Sequence, residues 1–159
     1  MALKIGIIGN GGISNAHMDG YKALGDRVEV VACCDINFEK AKSYAERYGV
    51  KNCYDNCYDM LAENELDAVS VCTWNSAHAE CTIAALNAGC HVLCEKPMAM
   101  STEEALAMQA AAEKNGKLLM LGFGGAVGVV SCVFLGNEGF NLRIQLGNGR
   151  QLLSRCKHL

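Results

Sequence analysis

The sequence of 159 residues predicts an α/β protein built on a doubly wound parallel sheet, with an atypical short C-terminal tail. Three observations lead to this fold class. Short apolar runs alternate along the chain with segments of helical periodicity, and such alternation at short spacing requires parallel strands joined by right-handed crossovers. The first apolar run leads directly into a glycine-rich turn, and polar side chains gather where the later runs end. The length is that of about one domain.

The glycine-rich turn is the most informative motif. Residues 5–8 form a short apolar run, Gly9, Gly11 and Gly12 follow it, and residues 14–24 have helical spacing of apolar side chains without proline. A strand, a glycine turn and a helix in this order predict a dinucleotide-binding site, in which the free N–H groups at the helix start face a pyrophosphate. The alternative is an ordinary strand–helix turn.

An acidic residue follows the second predicted strand. Residues 28–34 are mostly apolar, which is typical of a strand buried on both faces, and Asp35 ends the run a little over twenty residues beyond the turn. A carboxylate there can accept both hydroxyls of an adenosine ribose and would repel a 2′-phosphate, so we expect NAD rather than NADP. The alternative is that Asp35 caps the next helix. Ser14, at the third position of the glycine motif, is still small enough for close helix–strand packing.

The rest of the alternation predicts further strands at residues 66–72, 91–94 and 117–121, a short strand or loop at 52–54, and helices at 38–48, 55–63, 77–88 and 101–115. Ser101 and Glu104 form a capping-box-like start for the last helix. Because ligands of such sheets bind beyond the carboxyl ends of the strands, we expect the glycine turn, Asp35, residues 73–75 and residues 95–97 to meet at one edge.

Composition excludes several classes of function. A formal charge of −3 and a pI near 5.8 give no electrostatic reason to expect nucleic acid or an acidic membrane as a partner. No apolar run approaches the roughly 20 residues of a spanning helix, and the N-terminal run does not resemble a signal peptide, so we expect a cytoplasmic protein. None of the ten cysteines shows Cys-x-x-Cys spacing, and we expect reduced thiols without metal or disulfides.

A second motif carries a resemblance to a known family. Glu95-Lys96-Pro97 at the end of the fifth predicted strand, together with residues 9–13, residues 72–75 and His78, resembles the Gfo/Idh/MocA family of glucose–fructose oxidoreductases and inositol dehydrogenases. The match covers residues 2–123 and implies a Rossmann-type domain. By this resemblance the cofactor-binding residues are Gly9, Asn10, Gly11, Gly12, Ile13, Asp35, Thr73, Trp74, Asn75, His78, Glu95, Lys96 and Pro97.

The resemblance also implies particular roles. Lys96 would lie beside the nicotinamide as the catalytic residue and contact the substrate hydroxyl, while Glu95 either orients Lys96 or contacts the cofactor. Trp74 stands where the family usually has proline. His78 either lines the nucleotide cleft or is only a helix N-terminal residue, and we interpret His17 and His91 as structural.

The lysine of this motif is a group that the oxidation of an alcohol requires. Hydride leaves a carbinol carbon more readily when the hydroxyl proton is withdrawn, and an amine within hydrogen-bond reach can take that proton. By the resemblance we expect an NAD(P)-dependent oxidoreductase that acts on a secondary hydroxyl of a sugar, inositol or similar polyol, with a homo-oligomer possible in a full-length form. The alternatives are a stand-alone, non-catalytic dinucleotide-binding module and, ranked last, an S-adenosylmethionine methyltransferase, whose chemistry needs no Glu95-Lys96-Pro97.

The resemblance stops at residue 123. Residues 124–159 contain one acidic residue, Glu138, against three arginines and one lysine, and carry no motif of the family. One interpretation is a β-hairpin formed by residues 127–135 and 140–146. The interpretation that we favour is a frameshifted or prematurely ended substrate domain, so that residues 1–123 are the NAD(P)-binding domain and residues 124–159 an unassigned tail.

Overall fold

The computed structural model describes residues 1–125, 129–136, 139–145 and 151–155. The strands are β1 (Leu3–Ile8), β2 (Val28–Cys34), β3 (Asn52–Tyr54), β4 (Ala68–Val71), β5 (His91–Glu95), β6 (Leu119–Gly125), β7 (Val129–Gly136), β8 (Gly139–Gln145) and β9 (Gln151–Arg155). The helices are α1 (Gly12–Ala23), α2 (Phe38–Tyr48), α3 (Cys57–Glu63), α4 (His78–Asn87) and α5 (Thr102–Asn115), with short 3₁₀ turns at Gly25–Arg27 and Asn75–Ala77.

The strands form one sheet in the order β3-β2-β1-β4-β5-β6-β7-β8-β9. The first six are parallel, and β7, β8 and β9 are added antiparallel to β6. The chain moves outward in one direction from β1 to β3, and then returns to the other side of β1 at β4. This reversal is the switch point of a doubly wound sheet, and it confirms the predicted fold class for the parallel part.

The sheet separates two hydrophobic cores. Ile7 packs with Met18 of α1 and Tyr44 of α2, whereas the next residue, Ile8, belongs to the core that contains Leu86 of α4 and Met108 of α5. Successive side chains of a strand point to opposite faces, so β1 must be apolar at both positions to bury both. Burying one such aliphatic side chain contributes about 1.5–3 kcal/mol, and these contacts hold the helices in place on each face.

Local sequence fixes where the helices begin and end. The side chain of Asn37 accepts a hydrogen bond from the Lys40 N–H and caps α2, and Ser101 accepts one from the Glu104 N–H at α5. At the other ends, Gly49 and Gly116 adopt left-handed conformations with φ of 73° and 61°. Both ends follow the usual preference for a polar N-cap and a C-terminal glycine.

The segment after residue 123 pairs in the antiparallel sense. β7 and β8 are adjacent, with Ser131 opposite Ile144 and Gly136 opposite Gly139, which agrees with the hairpin interpretation of this segment. Residues 127, 128, 137, 138 and 146 of the predicted hairpin lie outside the described residues. The strand β9 was not predicted from the sequence. The pairing does not test how the segment arose, so a frameshift or truncation stays a prediction.

Within the described ranges, no helix is long and apolar enough to cross a membrane, and no group of three or more histidine, cysteine, aspartate or glutamate side chains could hold a metal ion.

The eight cysteines of the part with described side chains are all free thiols. Burial raises the pKa of Cys33, Cys34 and Cys94 to about 12, so these thiols behave as small hydrophobic groups. Cys57, the first residue of α3, differs from them. A hydrogen bond with the Cys81 thiol and the N–H groups at the helix start lower its pKa below the ordinary value of a thiol.

We expect Cys57 to be the first of these cysteines to react with iodoacetamide near pH 7, because the thiolate is the nucleophile and its side chain is partly exposed. Peptide mass spectrometry of the folded protein over time measures this. Cys81→Ala removes the hydrogen-bond partner, raises the pKa of Cys57 and should slow its alkylation. Cys53, which is also partly exposed, is the internal control. An unchanged rate at Cys57 in Cys81→Ala contradicts the explanation.

Candidate functional site

The candidate site lies where β2, β1, β4 and β5, which are neighbours in that order, end at the same edge of the sheet. The turn after β1 is tied to both neighbouring strands. The Gly9 N–H donates to the Cys34 carbonyl at 2.7 Å, and the Cys72 N–H donates to the Ile8 carbonyl at 2.7 Å. The predicted turn, the acid after β2 and the segments after β4 and β5 are therefore brought to one edge.

The glycines of the turn have different functions. Gly9 has a φ of +88°, and a Cβ there would lie 2.6 Å from the carbonyl carbon and oxygen of Cys72. Only glycine fits this position. Gly11 and Gly12 have no atom of the described residues within 4 Å of the place where a Cβ would stand, so they leave an open cradle at the start of α1. Ser14 is buried and donates to the Gly11 carbonyl at 2.6 Å, which confirms that a small residue suffices there.

Asn10 lies between these glycines with an unsatisfied side chain. Its Nδ2 and Oδ1 atoms are buried and have no hydrogen-bond partner among the described residues. A buried polar group without a partner costs about 1–3 kcal/mol, and native proteins seldom keep one without a reason. A bound molecule that offers both an acceptor and a donor would satisfy Asn10. Together with the open cradle, this atom pair fits a phosphate-linked dinucleotide at the turn.

Asp35 is fixed at the end of β2. Its Oδ2 accepts the Asn10 N–H at 2.9 Å, and its Oδ1 accepts the Asn37 N–H at 2.9 Å. The side chain that caps α2 is that of Asn37, so the structure does not place Asp35 as the cap of that helix. Each carboxylate oxygen keeps further acceptor capacity, and both are oriented by the backbone beside the glycine turn.

An open groove of about 570 Å³ runs from the glycine turn along α2. Asn10, Gly11 and Gly12 line one end, and Lys40 and Arg47 line its side along α2. This volume is ordinary for a small-molecule site, which typically measures roughly 300–1,000 Å³. The two cationic residues were not predicted from the sequence as part of the site.

His78 connects the segments that follow β4 and β5. Its side chain is buried, with 1% exposure, and its Nδ1 and Nε2 lie 2.6 Å and 3.2 Å from the carbonyl oxygens of Pro97 and Thr73. The imidazole therefore lies buried between the loops that follow β4 and β5, where it can fix the distance between them. Trp74, 83% exposed, and the exposed Asn75 project from the first of these loops.

The three residues after Cys94 differ in how far they are exposed to solvent. Lys96 and Pro97 are exposed, whereas the Glu95 side chain is only 12% exposed. Its Oε2 accepts the Lys96 N–H at 3.1 Å, and its Oε1 lies 2.9 Å from Nε2 of His17. His17 was predicted from the sequence to be structural, without a role at the site. Because this contact joins residues 78 positions apart, no local pattern could have revealed it.

A glycine turn at the switch point, an open helix N-terminus and an acid at the end of β2 define a nucleotide-binding domain of the Rossmann type. Residues 3–123 match the family described as the oxidoreductase family with an NAD-binding Rossmann fold. The match spans most of the chain, and the chain belongs to this family.

Individual proteins and solved structures that the chain is similar to are also dehydrogenases. The chain is 41% identical to D-glucoside 3-dehydrogenase of Escherichia coli, over 76% of this chain and 34% of the relative, and 35% identical to inositol 2-dehydrogenase of Salmonella paratyphi B, over 77% and 37%. The crystal structure of WlbA dehydrogenase from Bordetella pertussis in complex with NADH and UDP-GlcNAcA superposes with a TM-score of 0.73 and 32% identity, over 76% and 37%. The chain thus spans about a third of the length of these proteins.

Alanine substitutions in the turn should separate folding from binding. We expect Gly9→Ala to lower the free energy of unfolding by about 2 kcal/mol or more, because its methyl group clashes with the Cys72 backbone at a positive φ. Gly11→Ala should change that energy by less than about 0.5 kcal/mol and yet weaken NADH binding, because its methyl group occupies the cradle. Urea unfolding and NADH titration measure the two effects.

Gly20→Ala is the matched control, since Gly20 lies within α1 with nothing within 4 Å of its Cβ position. It should leave NADH binding unchanged and stabilise the protein by up to about 1 kcal/mol. Equal losses of NADH affinity in Gly11→Ala and Gly20→Ala would contradict the cradle.

Proposed function

We propose that residues 1–123 bind NAD, and that the whole protein is an NAD-dependent oxidoreductase acting on a secondary hydroxyl of a sugar, inositol or related polyol. The observation that carries the proposal is the anchored Asp35 carboxylate beside an open glycine cradle and the unsatisfied Asn10 side chain. Activity and substrate are proposed for the whole protein, because this chain spans about a third of the length of its relatives.

Asp35 is the proposed determinant of cofactor choice. Its two oxygens are already oriented by the N–H groups of Asn10 and Asn37, so they can accept the ribose hydroxyls without reorganising. The same carboxylate would repel a 2′-phosphate. Lys40 and Arg47 in the adjoining groove would partly offset this repulsion, which makes the preference for NAD a matter of degree.

The remaining contacts of the cofactor follow from the positions of the loops. The amides of Gly11, Gly12 and Ile13 at the start of α1 face the pyrophosphate. Thr73, Trp74 and Asn75 border the nucleotide cleft from the β4 side, and that loop is held by the contact of its Thr73 carbonyl with the buried His78. In this proposal His78 acts on the cleft through the two loops, without contacting the cofactor itself.

Lys96 is the proposed catalytic residue. It is exposed at the end of β5, with its backbone N–H anchored on Glu95 and its side chain free to reach a substrate. Bound NAD⁺ supplies the hydride acceptor. The Lys96 amine takes the hydroxyl proton as the carbinol C–H bond breaks, and the hydroxyl carbon becomes a carbonyl carbon. Pro97 follows directly, and its carbonyl contact with His78 keeps the segment close to the cleft.

The proposed substrate class comes from the relatives, whose names specify a glucoside and inositol. Both substrates present secondary hydroxyls on a ring, which suits the chemistry assigned to Lys96. We further propose that the protein acts in a reducing compartment such as the cytoplasm, because its eight described cysteines are all free thiols. Assembly into a homo-oligomer is proposed only for a form that includes the substrate-binding part.

NADH titration tests the cofactor assignment, with Trp74 as the reporter because it is the only tryptophan of the sequence and lies at the cleft. We expect NADH to quench Trp74 emission and to bind at least about tenfold more tightly than NADPH, as the loss of a hydrogen bond to a charged group would predict. Asp35→Ser should weaken NADH binding and remove most of this discrimination.

Asp19→Ser is the matched control, because it removes the same charge from an exposed position of α1. It should alter neither affinity by more than about twofold. NADH and NADPH binding equally well to the unaltered protein would refute the role of Asp35, and no binding of either would refute the cofactor assignment.

Lys96→Met tests catalysis apart from binding. NADH affinity should stay within about threefold of the unaltered protein, whereas polyol-dependent NADH formation by the whole protein should fall by about 10²–10⁴, the usual contribution of a general base. A reaction rate that survives the substitution would assign proton transfer to another group. A parallel loss of NADH affinity would mean that Lys96 serves the cofactor and not the substrate.

A further inference from the structure

A buried polar network connects α1 to Glu95, the last residue of β5, which Lys96 follows directly. Nε2 of His17 lies 2.9 Å from Oε1 of Glu95, and its Nδ1 lies 3.0 Å from Oγ of Ser70. The Tyr21 hydroxyl lies 2.7 Å from the same Ser70 oxygen. These four side chains thus connect three elements: His17 and Tyr21 belong to α1, Ser70 to β4, and Glu95 is the last residue of β5.

The directions of the hydrogen bonds are mutually consistent. Since a carboxylate only accepts, the His17 Nε2–H donates to Glu95, and Nδ1 of a neutral imidazole then accepts the Ser70 hydroxyl proton. The Ser70 oxygen in turn accepts from Tyr21, whose pKa is raised by burial, so that its hydroxyl keeps its proton. Every member therefore has a partner, although the His17 and Glu95 side chains are only 9% and 12% exposed and Ser70 is fully buried.

The Glu95 carboxylate is held from three directions. His17 donates to one oxygen, the Lys96 N–H donates to the other, and β6 approaches the first so closely that a Cβ on Gly122 would lie 2.9 Å from it. A carboxylate clamped in this way fixes the backbone of the residue that follows it. That residue is Lys96.

We propose that His17 is a positioning residue for Lys96 and for the nicotinamide half of the dinucleotide, and that it acts through Glu95. The proposal rests on the proposed function, in which Lys96 lies beside the nicotinamide. His17 lies five residues beyond Gly12, the first residue of α1, and thus about 7.5 Å along the helix axis from the cradle. The helix start receives the pyrophosphate, and the second turn of the same helix fixes the end of β5.

The energetics support a positioning function. A buried hydrogen bond between a histidine and a carboxylate gains little net stability, because desolvating both polar groups offsets the bond, and apolar residues of similar size would pack the helix onto the sheet equally well. Removing His17 alone leaves a buried carboxylate oxygen without its donor. Without His17, the Glu95 carboxylate would turn toward water and release the Lys96 N–H, and the end of β5 would lose its fixed geometry.

The test compares two ligands that share the adenosine diphosphate ribose part, since only NADH adds the nicotinamide. In His17→Ala we expect NADH affinity to fall by about tenfold and ADP-ribose affinity to change by less than about twofold, as the loss of one hydrogen bond to a charged group predicts. Hydrogen exchange of the Lys96 amide should accelerate by about the same tenfold factor. Trp74 emission and amide NMR supply these readouts without requiring turnover.

His91→Ala is the matched control. His91 is the first residue of β5, at the end opposite Glu95, and its Nδ1 accepts the Leu118 N–H at 3.0 Å. It should leave the ratio of NADH to ADP-ribose affinity unchanged. His17→Gln, whose amide can still donate to Glu95, should restore NADH affinity to within about threefold of the unaltered protein. If His17→Ala does not fold, Glu95→Gln takes its place in the test, because its amide offers one acceptor oxygen to two donors. It should show the same selective loss of NADH affinity.

The outcomes separate the two proposals. If the unaltered protein binds neither ligand, the proposed function fails and the inference fails with it. If it binds both, but His17→Ala or Glu95→Gln weakens them equally or leaves the Lys96 amide protected, the proposed function stands and His17 is only structural. A selective loss of NADH affinity together with faster Lys96 exchange supports the positioning function.

Discussion

The nucleotide-binding edge depends on how closely the turn after β1 approaches the end of β4. At Gly9 no side chain is possible, since even a methyl carbon would lie 2.6 Å from the Cys72 backbone. That approach lets the Gly9 N–H reach the Cys34 carbonyl, and it aims the start of α1 across the switch point of the sheet. The open space at Gly11 and Gly12 is a consequence of this geometry. Gly9 thus leads into an open backbone segment, and the amides of Gly11, Gly12 and Ile13 in that segment are the proposed phosphate donors.

The two ends of the site are held by different means. The proposed adenosine end depends on two backbone N–H groups, those of Asn10 and Asn37, which donate to the Asp35 side chain. The proposed nicotinamide end depends on two histidines that each connect separate elements, His78 between the loops after β4 and β5, and His17 between α1 and Glu95. The backbone donors of the first kind are placed by the turns that follow β1 and β2. The side-chain hydrogen bonds of the second kind fix the positions of two loops and of the end of β5, which strand pairing alone does not determine. Fixed positions matter there because the proposed hydride transfer requires closely oriented groups.

These two kinds of contact also explain what the sequence could predict. Residues 28–34 were predicted as a strand and residues 38–48 as a helix with the bounds that the structure has, because apolar periodicity and glycine stops are local signals. For residues 52–54 the sequence left a short strand and a loop open, and the structure has a strand there. Asp35 was identified by its distance from the glycine turn, which strand and helix lengths determine. By contrast, the cap of α2 is Asn37, although the alternative considered was Asp35, since two neighbouring polar residues compete for that position. His17 was missed because its partners, Ser70 and Glu95, lie 53 and 78 positions away.

The contact between Asp35 and the glycine turn has a consequence for how cofactor preference can change. The N–H that orients Oδ2 of Asp35 belongs to Asn10, within the glycine turn, so the proposed ribose-binding acid and the proposed phosphate-binding backbone fix one another. Replacing the acid to admit a 2′-phosphate would release the Asn10 N–H, beside an Asn10 side chain whose polar atoms have no partner among the described residues. A change of preference toward NADP is therefore favoured by another acceptor for that N–H, such as a shorter polar side chain at position 35 or an oxygen of the 2′-phosphate itself. Cationic residues such as Lys40 and Arg47 in the groove cannot supply one, because their side chains only donate.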